Sequence, residues 1–177
     1  MSTSTSTSTG NRHGSAVVSL PSDTEILITR QFDAPAALVF KALTTPDLVK
    51  RWWGFDVSVW KVCDIDLRVG GSWRYVVGEG EGEVGFHGTY REIEAPRRIV
   101  STEAFEGLVA MGITDDPDSV ASVNTVTLDE VDGVTTMSTL VQHVTKEHRD
   151  GHLGAGMEGG MQVSFDRLED VLTSDLA

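Results

Sequence analysis

The sequence predicts an α+β domain in which one curved antiparallel sheet wraps a long C-terminal helix. Three patterns predict it. A strand pattern over 24–32 is followed by two short helical patterns. Between 55 and 144 there is a run of strand candidates, at about 56–62, 72–78, 83–93, 97–106, 121–131 and 134–144. The period then changes. Leu153, Met157, Met161, Phe165, Leu168 and Leu172 recur every three or four residues, forming one apolar stripe on a helix over about 146–173.

The elements follow from local chemistry. Thr24 to Phe32 is rich in β-branched and apolar residues. Asp33-Ala34-Pro35 then starts a helix, with proline suited to the first turn and a polar residue ahead of it to cap free amides. Ala36, Val39, Phe40 and Leu43 make its apolar face. Thr45-Pro46-Asp47 repeats the start signal for a second helix carrying Leu48, Val49, Trp52 and Trp53, which stops at Gly54. Gly78 to Gly82 reads as a loose turn, and Pro96 separates two strands. Asp132-Gly133 between alternating runs is a two-residue hairpin signal. Residues 107–119 form the longest irregular stretch, either a lid or a plain connection. Thr145 is a plausible cap for the last helix. Five glycines, Gly151 to Gly160, lie in its first half, and each costs roughly 0.8–1 kcal/mol against alanine. Either packing stabilises that half or the helix begins later. A sheet curled around one helix, with the two short helices at its open end, rarely fills its interior, so a cavity is expected.

The chain has 177 residues, which suits a single domain over 23–177 behind a disordered Ser/Thr-rich tail over 1–22. The net charge of −13 argues against binding a phosphate backbone. One cysteine, Cys63, excludes an intramolecular disulfide framework and reads as an ordinary half-buried thiol. No apolar run approaches the roughly 20 residues of a membrane helix, and no secretory signal pattern is present. A cytoplasmic protein is the resulting expectation.

Chemistry-bearing patterns are few. Gly80-Glu81-Gly82-Glu83-Val84-Gly85 and Gly154-Ala155-Gly156-Met157-Glu158-Gly159 match a dinucleotide fingerprint, but neither lies between a strand and a helix in a βαβ unit. His148 and His152 have a metal-chelating spacing without the glutamate of zinc hydrolases, and a solvated helix face explains them better. No metal and no cofactor is expected. The cavity candidates are the aromatics Trp52, Trp53, Trp73, Tyr75, Phe86, Tyr90 and Phe165, together with Met137, Met157, Met161, His87 and His143. Trp60 belongs to the same aromatic set. For each, core packing is the alternative reading, and for the histidines a satisfied structural role. Arg68, Arg74, Glu103 and Gln142 are further polar strand residues that could enter the cavity. There is no nucleophile elbow and no acid–base pair whose spacing forces proximity.

Several strings carry a family resemblance. They are Ile28-Thr29-Arg30-Gln31-Phe32-Asp33-Ala34-Pro35 with Val39-Phe40, and Thr45-Pro46-Asp47-Leu48 through Trp52-Trp53-Gly54. Asp66 to Tyr75, Phe86 to Ile93, and Gly156 to Met161 leading into Ser164 to Leu168 complete the set. The chain over about 23–173 resembles the SRPBCC superfamily of START and Bet v allergen-like helix-grip proteins. Within it, the chain looks most like the family named after the activator of heat-shock protein 90 ATPase. The resemblance implies the helix-grip fold but no single activity, because the superfamily includes lipid carriers, aromatic-ligand binders, cyclases, hydrolase-like members and chaperone partners. Gly160-Met161 departs from relatives that carry a larger aromatic there, which widens the cavity or repacks it. The leading expectation is a non-enzymatic binder of a small hydrophobic or aromatic molecule, lipid- or polyketide-like. The alternatives are a protein-interaction module whose acidic surface meets a basic partner, and a cyclase or hydrolase using His87 or His143.

Overall fold

The computed structural model describes residues 12–54 and 59–174. Eight strands form one antiparallel sheet: β1 (Val17–Ser19), β2 (Glu25–Phe32), β3 (Trp60–Ile65), β4 (Ser72–Val77), β5 (Val84–Glu94), β6 (Arg98–Phe105), β7 (Ser122–Val131) and β8 (Val134–Gln142). Their order across the sheet is β1-β2-β8-β7-β6-β5-β4-β3. Helices α1 (Ala36–Thr44) and α2 (Pro46–Trp52) follow β2, α3 (Gly107–Ala110) lies between β6 and β7, and α4 (Lys146–Gly154) and α5 (Met157–Ser174) end the chain. This is the helix-grip arrangement, with α5 against the concave face of the sheet. No helix of the described residues is long and apolar enough to cross a membrane.

Four local expectations need correction. First, the predicted tail over 1–22 is not wholly outside the fold. Val17 to Ser19 pair with Thr29 to Leu27, and Arg12 forms an ion pair with Asp33 at 2.9 Å. The apolar run there is too short to be legible as a strand, and main-chain pairing with β2 is what orders it. Among the described residues the sheet therefore has eight strands, where about seven were expected. Second, the helix over 146–173 is two helices. Thr145 does cap α4, its Oγ accepting the His148 amide at 3.2 Å. The chain breaks at Ala155-Gly156, where Gly156 takes φ +78°, a conformation open chiefly to glycine. Third, Asp33 does not cap α1; the Ala36 amide donates instead to Glu130 Oε2 of β7 at 2.8 Å. Fourth, the strand expected over 56–62 begins at Trp60 among the described residues, and 56–58 lie outside them. The Asp132-Gly133 hairpin stands as expected, with φ +51° and +77° at its two positions.

Alternation and register define the concave face. Cross-strand partners share a face. Ile26, Ile28, Arg30 and Phe32 of β2 lie opposite Val141, Thr139, Met137 and Thr135 of β8. Across β7 come Asn124, Val126 and Leu128, and across β6 Ile99, Ser101 and Glu103. Two buried clusters result. The larger joins Ile26, Phe32, Val39, Leu128 and Val141 to Phe165, Leu168 and Leu172 of α5. The smaller joins Val49 of α2 to Trp73, Tyr75, Tyr90 and Ile99. Between them the interior is hollow.

Candidate functional site

The hollow has two adjoining parts. The inner part, about 290 Å³, lies between β7, β8, α2 and α5 and is bordered by Trp52, Trp53, Met137, Met161 and Phe165. The outer part, about 490 Å³, lies under the segment between β6 and β7 and is bordered by Phe105, Leu108, Ile113, Val120, His143 and His148. Phe86, Glu103, His152 and Met157 border both. The lining is mainly apolar, and a space of this size suits a drug-sized molecule. Met111 and Ile113 at the rim are 64% and 52% exposed, which leaves an apolar lip around the mouth.

Eight of the residues expected at the cavity border it: Trp52, Trp53, Phe86, Met137, His143, Met157, Met161 and Phe165. Four do not. Trp73, Tyr75 and Tyr90 share the concave face but are packed into the smaller cluster, behind Trp53 and Phe86. Tyr75 touches the Trp53 ring at 5.0 Å between centroids, and Trp53 in turn meets Phe86 at 5.4 Å. Burial raises the Tyr75 hydroxyl pKa and holds that of Tyr90 up at about 12. These rings brace the cavity wall rather than form it. His87 alternates with Phe86 and therefore lies on the convex face, beside Arg74. Arg74 is on that face too, so neither enters the hollow. Arg68 and Gln142 are also absent from its lining among the described residues.

The polar lining is compact. Glu103 of β6 pairs across the sheet with Ser122, whose hydroxyl donates to Asn124 Oδ1 at 3.2 Å. Glu103 is half-buried and borders both parts of the hollow. Burial pushes its carboxyl up to about 7, against the opposing hydrogen bond from Asn124. His143 follows β8, and its Nε2 lies 3.0 Å from Nδ1 of His152 on α4. Burial, then the neighbouring His152, His148 and Arg149, bring His143 down to about 4, and burial lowers His152 as well. The pair is therefore neutral at pH 7 and shares one proton across the contact. Arg149 is turned away, donating to the Ser22 carbonyl at 2.7 Å and to Asp150 at 2.9 Å.

Glu103 was legible as a polar strand residue, since it keeps the parity of Ile99 and Phe105. His152 was legible only through its spacing from His148. That it meets His143 follows from the approach of α4 to the end of β8, for which no local signal exists. Cys63 is half-buried, and burial pushes its thiol up to about 11, so it is a poor nucleophile.

The convex face holds a second polar group. His87 Nδ1 contacts Glu106 Oε1 and Nε2 contacts Asp118 Oδ1, both at 2.9 Å. Arg74 donates to both oxygens of Glu106, at 2.8 and 3.0 Å. Glu106 and Asp118 flank the segment that covers the outer cavity. Contact with a carboxylate at each nitrogen is what an imidazolium makes. Burial pulls the His87 pKa down, but the bonds to Glu106 and Asp118 outweigh it and the net shift is upward. A raised histidine stabilises fully below its unfolded value of about 6.5 and loses that contribution as pH rises through the folded value. We therefore expect segment 106–120 to be cut faster by a protease at pH 8.5 than at pH 6, relative to an unrelated loop. In His87→Gln that pH difference should vanish; an unchanged difference would show that His87 does not hold the segment.

Fold and site together define the class: a sheet gripping a helix around a hollow that opens to the surface. The chain belongs to the family described as activator of Hsp90 ATPase homolog 1-like protein, whose model matches residues 33–173. Its fold is shared by a protein from Rhodobacter sphaeroides, 24% identical, at a TM-score of 0.77 over 90% of this chain and 99% of that one. A protein from Mycobacterium smegmatis is 22% identical, with a TM-score of 0.75 over 90% and 98% of the two chains. A protein from Staphylococcus epidermidis is 24% identical, with a TM-score of 0.73 over 91% and 96%. No curated protein matches the sequence significantly.

Proposed function

We propose that the chain binds a small apolar or aromatic molecule in the cavity between the sheet and the C-terminal helices. The observation that carries this reading is the pair of adjoining cavities of about 490 and 290 Å³, bordered mainly by apolar side chains from the sheet, α2, α5 and the covering segment. Methionines at 137, 157 and 161 make its wall adaptable in shape. A thermal-shift and native-mass screen against lipids and polyketide-like aromatics tests the proposal. Met161→Trp, which fills the inner part, should abolish any shift seen with the wild type while leaving a cooperative unfolding transition. Absence of a shift with every class, or a shift untouched by Met161→Trp, would count against the cavity.

A protein partner is the second reading. It is supported by the name of the matching family, which refers to the Hsp90 ATPase, and by the net charge of −13, which suits a basic surface. Capture of a heat-shock protein 90 that is lost at high salt would favour it.

A further inference from the structure

Among the described residues, the cavity wall contains two carboxylates, Glu103 and Glu147, and no lysine or arginine. Glu103 is the deeper one, bordering both parts of the hollow, whereas Glu147 is exposed at the mouth. Among the described residues, the side chain bonded to Glu103 is a neutral amide, Asn124. The nearby imidazoles of His143 and His152 satisfy each other at 3.0 Å, and Nδ1 of His148 is buried without a partner. Arg149, beside His148 on α4, is committed to Ser22 and Asp150. The cavity wall thus holds one deep acid and, among the described residues, no lysine or arginine to counter it.

We infer that the molecule bound here is a cationic amphiphile, an aromatic or aliphatic body bearing a protonated amine that pairs with Glu103. This rests on the cavity reading above and specifies its ligand. An ammonium supplies the charge that the carboxylate lacks, and a charge-assisted hydrogen bond in a low-dielectric space is strong. A neutral hydroxyl makes only an ordinary hydrogen bond. A ligand carboxylate meets two like charges and no cation, so fatty acids and other acyl anions are selected against. The acidic protein as a whole, at −13, adds to the same preference on approach.

The test is a shape-matched series, 1-naphthylmethylamine, 1-naphthylmethanol and 1-naphthoate, titrated calorimetrically at pH 7.5 into the full chain and into Glu103→Gln. The amine should bind about tenfold or more tighter than the alcohol, as a hydrogen bond to a charged group implies, with the naphthoate weakest. In Glu103→Gln the amine and the alcohol should bind alike. A second measurement on unaltered protein covers misfolding of the variant: the amine preference should shrink at pH 5.5. Facing Glu103 are Asn124 and Ser122 on β7, His143 after β8, and His148, His152 and Glu147 on α4; burial raises Glu103 to about 7. Naphthoate binding as tightly as the amine, or an amine preference that persists in Glu103→Gln, overturns the inference while leaving the cavity reading intact. Failure of all three probes, the neutral alcohol included, removes both.

Discussion

Replacing Arg30 with alanine should lower the unfolding free energy by about 3–5 kcal/mol, the cost typical of removing one partner from a buried ion pair. Arg30 has a fully buried side chain on the concave face of β2. Its Nη1 donates to Asp166 of α5 at 2.8 Å, its Nη2 lies 3.7 Å from Glu169, and its guanidinium sits 5.0 Å from the Phe32 ring centre. Asp166 also accepts the Gly14 amide at 2.8 Å, so one carboxylate ties the N-terminal segment and β2 to α5. Alanine leaves a hole beside Phe32 and strands Asp166 and Glu169 together. Glu169→Gln should cost far less. Burial already raises that carboxyl, and its contact with Arg30 is longer than a hydrogen bond. Urea unfolding of the two variants checks both numbers. Equal losses would mean that the contact with Glu169, rather than Asp166 and packing, carries the contribution of Arg30.

Gly88→Ala is expected to cost about 3 kcal/mol or more, at the upper end for overpacking a core. A Cβ at this position would lie 1.8 Å from the Thr102 carbonyl oxygen and 2.6 Å from Nε1 of Trp73. Neither neighbour can yield cheaply. The first is backbone of the adjacent strand, and the second donates to that same carbonyl at 3.2 Å. Trp73 meets Tyr75 at 4.8 Å between ring centres, and Tyr75 supports Trp53, so a displaced indole reaches the cavity wall. A fall in the denaturation midpoint together with altered tryptophan fluorescence is the expected result. Trp73→Phe in the same background should recover only part of the loss, because the carbonyl clash remains. An alanine variant as stable as wild type would show that β5 and β6 do not approach as described.

The two substitutions act on features of different legibility. Arg30 and the Ile28–Phe32 strand were readable from alternation, but nothing local says that α5 offers Asp166 and Glu169 to it. Gly88 was visible as one glycine in a strand. That an indole crosses over it becomes evident only when β4, β5 and β6 are set in register. The same division runs through the cavity. The methionine and aromatic positions of α5 and α2 were found because a helical period places them on one face. Trp73, Tyr75 and Tyr90 were assigned to the cavity by type, yet they sit where the sheet and α2 close together. His87 was assigned by strand membership, whereas register puts it on the opposite face from Phe86.

By itself, the sequence determined the order and type of most elements, the Asp132-Gly133 hairpin, the cap at Thr145 and the family. These depend on period, turn chemistry and neighbours a few residues away. Tertiary structure alone decided where the last helix breaks, that Val17 to Ser19 join the sheet, and which polar groups share the hollow. Glu103, His143 and His152 are brought together by strand register and by the angle of α4. Those depend on contacts between residues far apart in the chain, which alternation and spacing do not encode.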